Sequence, residues 1–204
     1  MRRLVIDTAS RACSVALFEG LECVAAFHEV IGRGHAERLV PMIAQLPDRG
    51  LADCISVNVG PGSFTGIRVG ISAAKALALA WNVPCEGYSS LGLLAAFARD
   101  KVGDNPVDVA IQGGHGEYYF QPFDAHGNAL QPAQSLEPEA AAQISRADIV
   151  VGDAADALVG MKGHGTAIDA LPDARKWLLI GSVAPLAATA AYVRPPDAKL
   201  PGAR

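Results

Sequence analysis

The sequence predicts an α/β protein built from two halves of similar layout, each led by a β-hairpin. Three observations carry this. First, Leu4–Asp7 and Cys13–Phe18 are apolar, strand-like runs flanking the small-polar turn Thr8-Ala9-Ser10-Arg11-Ala12. Second, the pattern restarts with Val107–Ile111, the Gly-rich turn Gln112–Gly116 and Glu117–Phe123. Slid over one another without gaps, Ile6 falls on Ile111, Asp7 on Gln112, Val15 on Phe120 and Phe18 on Phe123. Third, helical periodicity fills the interval between the two hairpins.

The elements follow in order. Glu22–His28 reads as a third strand after the Glu19-Gly20 turn. Ala36, Leu39, Val40, Ile43 and Leu46 then share one face of a 3.6-residue repeat. Pro41 inside it predicts a kink or a late start. Cys54–Val59 is a short buried strand, and Gly60-Pro61-Gly62-Ser63-Phe64-Thr65-Gly66 a tight loop. A long helix from Thr65 to Trp81 ends at Asn82-Val83-Pro84, and Ser89 or Ser90 caps another through Arg99. The polar stretch Asp100–Pro106 divides the chain into residues 1–103 and a smaller unit, 104–204. Beyond the second hairpin we expect a short helix at Pro138–Ile144, a strand at Asp148–Val151, an Ala-rich helix at Ser182–Ala191 and an extended tail, Tyr192–Arg204.

Composition excludes several functions. Half of the 204 residues are hydrophobic, enough for a real core. A net charge of −4 and an aromatic share of 6% argue against a chain that grips nucleic acid by itself. The longest apolar run, Gly70–Trp81, carries Lys75 and is too short to cross a membrane. Asp7, Ser10 and Arg11 arrive too early for a signal peptide, so the expected location is cytoplasmic. Cys13, Cys23, Cys54 and Cys85 show neither a C-x-x-C pair nor zinc spacing and are expected as reduced, buried thiols. No histidine has the spacing of a metal site, and Ser63 lacks the G-x-S-x-G of a nucleophile elbow.

Three features remain as candidates. The Gly60–Gly66 loop joins a strand to a helix N-terminus, which suits either an anion cradle or a tight turn that requires glycine. It matches neither a Walker A loop nor G-x-G-x-x-G. Gly66, Gly70, Ala74 and Ala78 form a stripe of minimal side chains, to be filled by another element of this chain or by another polypeptide. Asp7, at the head of the first turn, is either a turn cap or a phosphate-loop acid, while its counterpart Gln112 has no charge with which to hold a cation.

The motifs Leu4-Val5-Ile6-Asp7-Thr8-Ala9, Cys13-Ser14-Val15-Ala16-Leu17, His35-Ala36-Glu37-Arg38-Leu39-Val40-Pro41-Met42-Ile43, Gly60–Gly70, Ala73–Ala78 and Ser89-Ser90-Leu91 together resemble the bacterial TsaB (YeaZ) family. The second half is similar mainly in layout, through Gly116-Glu117-Tyr118-Tyr119, Val151-Gly152-Asp153 and the tail Tyr192-Val193-Arg194-Pro195-Pro196-Asp197-Ala198-Lys199. The resemblance implies a two-domain actin/Hsp70/sugar-kinase-like (ASKHA) fold. It implies a non-catalytic subunit in forming N6-threonylcarbamoyladenosine at position 37 of ANN-decoding tRNAs. Its partners would be a TsaD-like catalytic subunit and a TsaE-like ATPase, with a homodimer in their absence and tRNA met only through the complex. The implied interface is His35, Glu37, Arg38, Leu39, Met42 and Ile43 on one helix, with Gly66, Ile67, Gly70, Ala74 and Ala78 on the next. Asp7, Thr8, Ser10, Gly60, Gly62 and Ser63 would be a vestigial phosphate loop, requiring no cofactor and admitting at most weak ATP or ADP binding. No metal and no membrane are implied. The alternatives are a stand-alone actin-like ATPase or kinase, and a glycoprotease-type peptidase. The chain departs from the family at Gln112–Gly116, where many members have Asp-Ala-Arg, and in the short region after Val151.

Overall fold

The computed structural model describes residues 1–181 and 183–193. In chain order the elements are β1 (Arg2–Asp7), β2 (Ala12–Glu19), β3 (Glu22–Val30), α1 (His35–Ala44), β4 (Cys54–Gly60), α2 (Phe64–Trp81), β5 (Cys85–Ser89) and α3 (Ser90–Val102). The second half adds β6 (Val107–Gln112), β7 (Tyr118–Phe123), β8 (Gln134–Leu136), α4 (Pro138–Ile144), β9 (Ile149–Val151), α5 (Ala155–Lys162), β10 (Thr166–Ile168) and β11 (Leu186–Ala187). A 3-10 segment, Ala174–Ile180, precedes β11.

Two mixed sheets result. The first has the order β11-β5-β4-β1-β2-β3 and the second β10-β9-β6-β7-β8. In the first, β1, β2 and β3 form an antiparallel meander, and β4 and β5 run parallel to β1. The second repeats this, with β6, β7 and β8 antiparallel and β9 and β10 parallel to β6. The duplicated α/β layout of an ASKHA fold is therefore present.

The period-2 alternation of β1 and β2 sorts side chains between two cores. Leu4, Ile6, Val15 and Leu17 face α1 and α2, meeting Leu39, Met42, Ile67 and Ala74. Val5, Ala16 and Phe18 face the other way, onto Leu93 of α3 and onto Ala174 and Trp177. The remaining apolar side of α3 meets the second sheet, with Leu91, Leu94 and Ala98 against Val107, Val109 and Ile111. The far side of that sheet is covered by α4 and α5, through Ala141 and Leu158.

Several expectations are corrected. The buried face of α1 is His35, Leu39, Met42 and Ile43, while Ala36 and Val40 are exposed. The helix runs on through Pro41, whose absent N–H leaves the Glu37 carbonyl without its helical donor. The Ala-rich segment is no helix over its described residues. Pro185 cannot donate within a helix, and Leu186 and Ala187 pair with Gly87 and Glu86 of β5 instead. Gly87 permits this because a Cβ there would lie 2.6 Å from the Ala187 carbonyl oxygen. Residues 174–180 thus pack against the first sheet and Leu186–Ala187 join it, from beyond the 103/104 boundary. Ser182 and the tail beyond Val193 lie outside the described residues. All four cysteines are free thiols, but Cys23 is exposed and Cys85 half-buried.

Candidate functional site

The six residues of the expected phosphate loop do come together, at the junction of β1, β4 and α2. Asp7 ends β1 and is 1% exposed. Its Oδ2 accepts from the Asn58 side-chain amide at 2.6 Å and the Tyr88 hydroxyl at 2.9 Å, and its Oδ1 from the Ala9 N–H at 3.2 Å. Burial outweighs these bonds and raises the Asp7 pKa from 3.8 to about 6. Burial, with the nearby Asp7 charge, pushes the Tyr88 phenol the same way. Ser90 extends the network by donating to Asn58 Oδ1, which also accepts the Gly60 N–H.

The loop is stitched to the first turn rather than held open. Thr8 Oγ1 donates to the Gly66 carbonyl at 2.7 Å, and the Ser63 N–H donates to the Ala9 carbonyl at 2.7 Å. A Cβ on Gly62 would lie 2.0 Å from the Ala9 oxygen, and one on Gly66 2.0 Å from the Thr8 oxygen. These glycines serve a close backbone approach, the tight-turn alternative. Ser63 caps α2, its Oγ accepting from the Gly66 N–H, and Ser10 Oγ accepts from the Ala12 N–H.

Above the loop lies a cleft of about 600 Å³ between the two halves. Ser10, Gly62 and Ser63 line one wall, and Gln112, Gly113 and Asp153 the other. Asp7 and Thr8 are buried behind the first wall. Asp153 Oδ1 accepts the Gln112 N–H at 2.9 Å, and Oδ2 lies 3.7 Å from Arg11 Nε across the cleft. Burial raises the Asp153 pKa. The Arg11–Asp153 pair went unread because its members are far apart in sequence. The only signal was two polar residues, each placed in a glycine- or serine-containing turn.

The expected interface residues divide sharply. Gly66, Gly70, Ala74 and Ala78 face this chain's own sheet and are buried. A Cβ on Gly70 would lie 2.4 Å from Thr8 Oγ1 and 3.5 Å from Val57 Cγ2. The stripe is filled internally, and Ile67, Leu39, Met42 and Ile43 belong to the same core. His35 is buried too, with Nε2 3.2 Å from the Ala12 carbonyl oxygen. Arg38 clamps α1 to β3 through a two-pronged pair with Glu29, whose pKa it lowers. Of the expected set only Glu37 is fully exposed.

The open surface of the helix pair includes Ala36 and Val40, which the periodicity places on the apolar face of α1, and residues of α2 outside the small stripe. Val40 is 61% exposed and Leu79 84%. Ala36, Pro41 and Ala44 of α1 and Ala76 and Ala80 of α2 are exposed as well. The signal lay in the same helical wheels, read from the side opposite the small stripe. No helix among the described residues is long and apolar enough to cross a membrane.

A family model described as "TsaD: tRNA N6-adenosine threonylcarbamoyltransferase" matches residues 27–184. The chain is 37% identical over 142 residues to the "tRNA threonylcarbamoyladenosine biosynthesis protein TsaB" of Escherichia coli, covering 67% of this chain and 61% of that protein. The protein of the same name from Haemophilus influenzae is 37% identical over 122 residues, covering 57% and 51%. The chain thus spans about half to three fifths of these curated relatives. The structure of YeaZ from Pseudomonas aeruginosa matches with a TM-score of 0.78 at 29% identity, over 94% of this chain and 100% of that one. Together these place the chain in the TsaD tRNA N6-adenosine threonylcarbamoyltransferase family, and within it among the TsaB (YeaZ) proteins.

Proposed function

We propose that this chain serves the formation of N6-threonylcarbamoyladenosine at position 37 of ANN-decoding tRNAs as a subunit without a catalytic centre of its own. It docks on a TsaD-type catalytic subunit, which a TsaE-type ATPase joins, and forms a homodimer in their absence. The observation that carries this reading is the exposure of Val40 on α1 and Leu79 on α2, two helices in contact with one another. Large apolar groups left in water on two adjacent helices favour a protein partner. The cleft supports the non-catalytic part. Its loop donors Gly60 N–H and Ser63 N–H are already satisfied within the chain, and Gln112 stands where a second phosphate-loop acid would. ATP or ADP would bind there weakly, as a ligand the role does not require. The setting we assign is the cytoplasm.

The test is reconstitution with TsaD and TsaE. The chain alone is expected to form no modified nucleoside, and the full set to form it. Val40→Glu with Leu79→Glu abolishes pairing with TsaD and product formation, while the melting temperature of the isolated chain stays unchanged. Nucleoside formed by this chain alone, or normal pairing by the double variant, contradicts the proposal.

A further inference from the structure

We infer that the groove between α3 and the Ala174–Ile180 segment is a contact site for RNA phosphates. It has a volume of about 500 Å³. It lies on the face of the first sheet opposite α1 and α2, so a partner docked on those helices leaves it open. Lys101 in the last turn of α3 and Lys176 both bring their ammonium groups over the Phe97 ring, 4.6 and 6.0 Å from its centroid. Neither lysine forms an ion pair among the described residues.

The other charges of the groove are engaged or balanced. Arg175 grips Asp173 with Nε at 2.9 Å and Nη2 at 2.6 Å. Arg11 reaches toward Asp153. His28 Nδ1 is buried without a hydrogen bond, 3.6 Å from Asp173 Oδ1. Asp169 is the remaining acid of the lining. A chain of net charge −4 thus gathers two uncommitted cations at one half-buried aromatic ring. Two ammonium groups held over one ring set a fixed pair of positive charges with which to neutralise neighbouring phosphates. The choice of RNA rests on the proposed role in tRNA modification.

The probe is an unmodified tRNA transcript, titrated over a range of salt against the chain alone and against its assembly with TsaD. For Lys101→Glu with Lys176→Glu, affinity falls several-fold and the slope of log K against log salt becomes shallower by about 2. Melting temperature and pairing with TsaD do not change, and Lys101→Arg with Lys176→Arg keeps the wild-type slope. An unchanged slope in the Glu variant overturns the groove even where assembly and modification proceed, and leaves the functional reading standing. A chain that fails to pair with TsaD overturns that reading, and the titration of the chain alone still decides the groove. A Glu variant that loses TsaD while keeping its tRNA slope assigns the groove to an acidic protein surface, and the inference falls.

Discussion

The two halves share a strand order but not a helical layer. Each sheet runs third, second, first, fourth and fifth strand, and the first adds β11 beyond β5. Each also brings a glycine after its fourth strand against a carbonyl of the leading hairpin: a Cβ on Gly62 would lie 2.0 Å from the Ala9 oxygen, and one on Gly152 2.0 Å from the Ala110 oxygen. Yet the two helices between the third and fifth strands have 10 and 18 residues in the first half and only 7 and 8 in the second. Their buried acids differ too. Asp7 is held largely by side chains from β4 and β5, whereas Asp108 accepts the Ser145 hydroxyl and the N–H groups of Arg146 and Ala147. Sheet topology therefore survives on short strands and a few close backbone contacts. Long helices are a separate feature, and where they remain, their outer sides expose large apolar residues such as Val40 and Leu79.

The largest effect expected from this contrast concerns the stripe of α2. Gly70→Leu places a side chain where Thr8 and Val57 already stand. Overpacking at such a site costs about 3 kcal/mol or more. The variant should melt early as an isolated chain, with any loss of pairing following from that instability. A variant that melts normally and only fails to pair would return the stripe to the partner interface.

Much of the fold was legible because hairpins and long helices announce themselves by period. The leading hairpin, α2, α3 and the second hairpin were read within a few residues of their bounds. Elements held by long-range contacts were not. β5 is five residues with a central glycine, and what makes it a strand is β4 on one side and β11 on the other. Alanines at 187, 188, 190 and 191 suggested a helix, although Pro185 and the waiting edge of β5 decide otherwise. The site shows the same limit. Periodicity tells which side chains share a face of α2, but not whether that face meets Thr8 of its own chain or a foreign helix.

A second, smaller effect follows from Asp7. Its folded pKa of about 6 lies above the ordinary 3.8. The native state therefore holds the proton more tightly than the unfolded chain. That contribution to stability is fully present below about 3.8 and is lost as pH rises through about 6. The geometry accommodates the neutral acid: a protonated Oδ2 can donate to the Tyr88 oxygen, whose own proton then goes to the Ile6 carbonyl at 3.1 Å. Relative to Asp7→Asn, the wild type should gain roughly 2–3 kcal/mol between about pH 7.5 and about pH 4. Urea unfolding at both values measures it. A flat difference would mean that Asp7 stays ionised in the fold and that its hydrogen bonds outweigh its burial.

The smallest effect tests whether glycine in the second half's helices has any such cause. Gly160 sits within α5 on the exposed side, and a Cβ there meets nothing within 4 Å. Its backbone is not in the positive-φ region, so alanine fits without strain. Gly160→Ala should then stabilise the chain by about 0.5–1 kcal/mol, through the smaller conformational freedom of alanine in the unfolded state. Gly70→Ala in α2 should do the reverse, because even one carbon collides with Thr8 Oγ1. Paired urea titrations of the two variants give the comparison directly. Opposite signs locate the packing constraint in the first half's helices. Destabilisation of both would show that α5 too is held by a close contact, and that its shortness is not a sign of a looser layer.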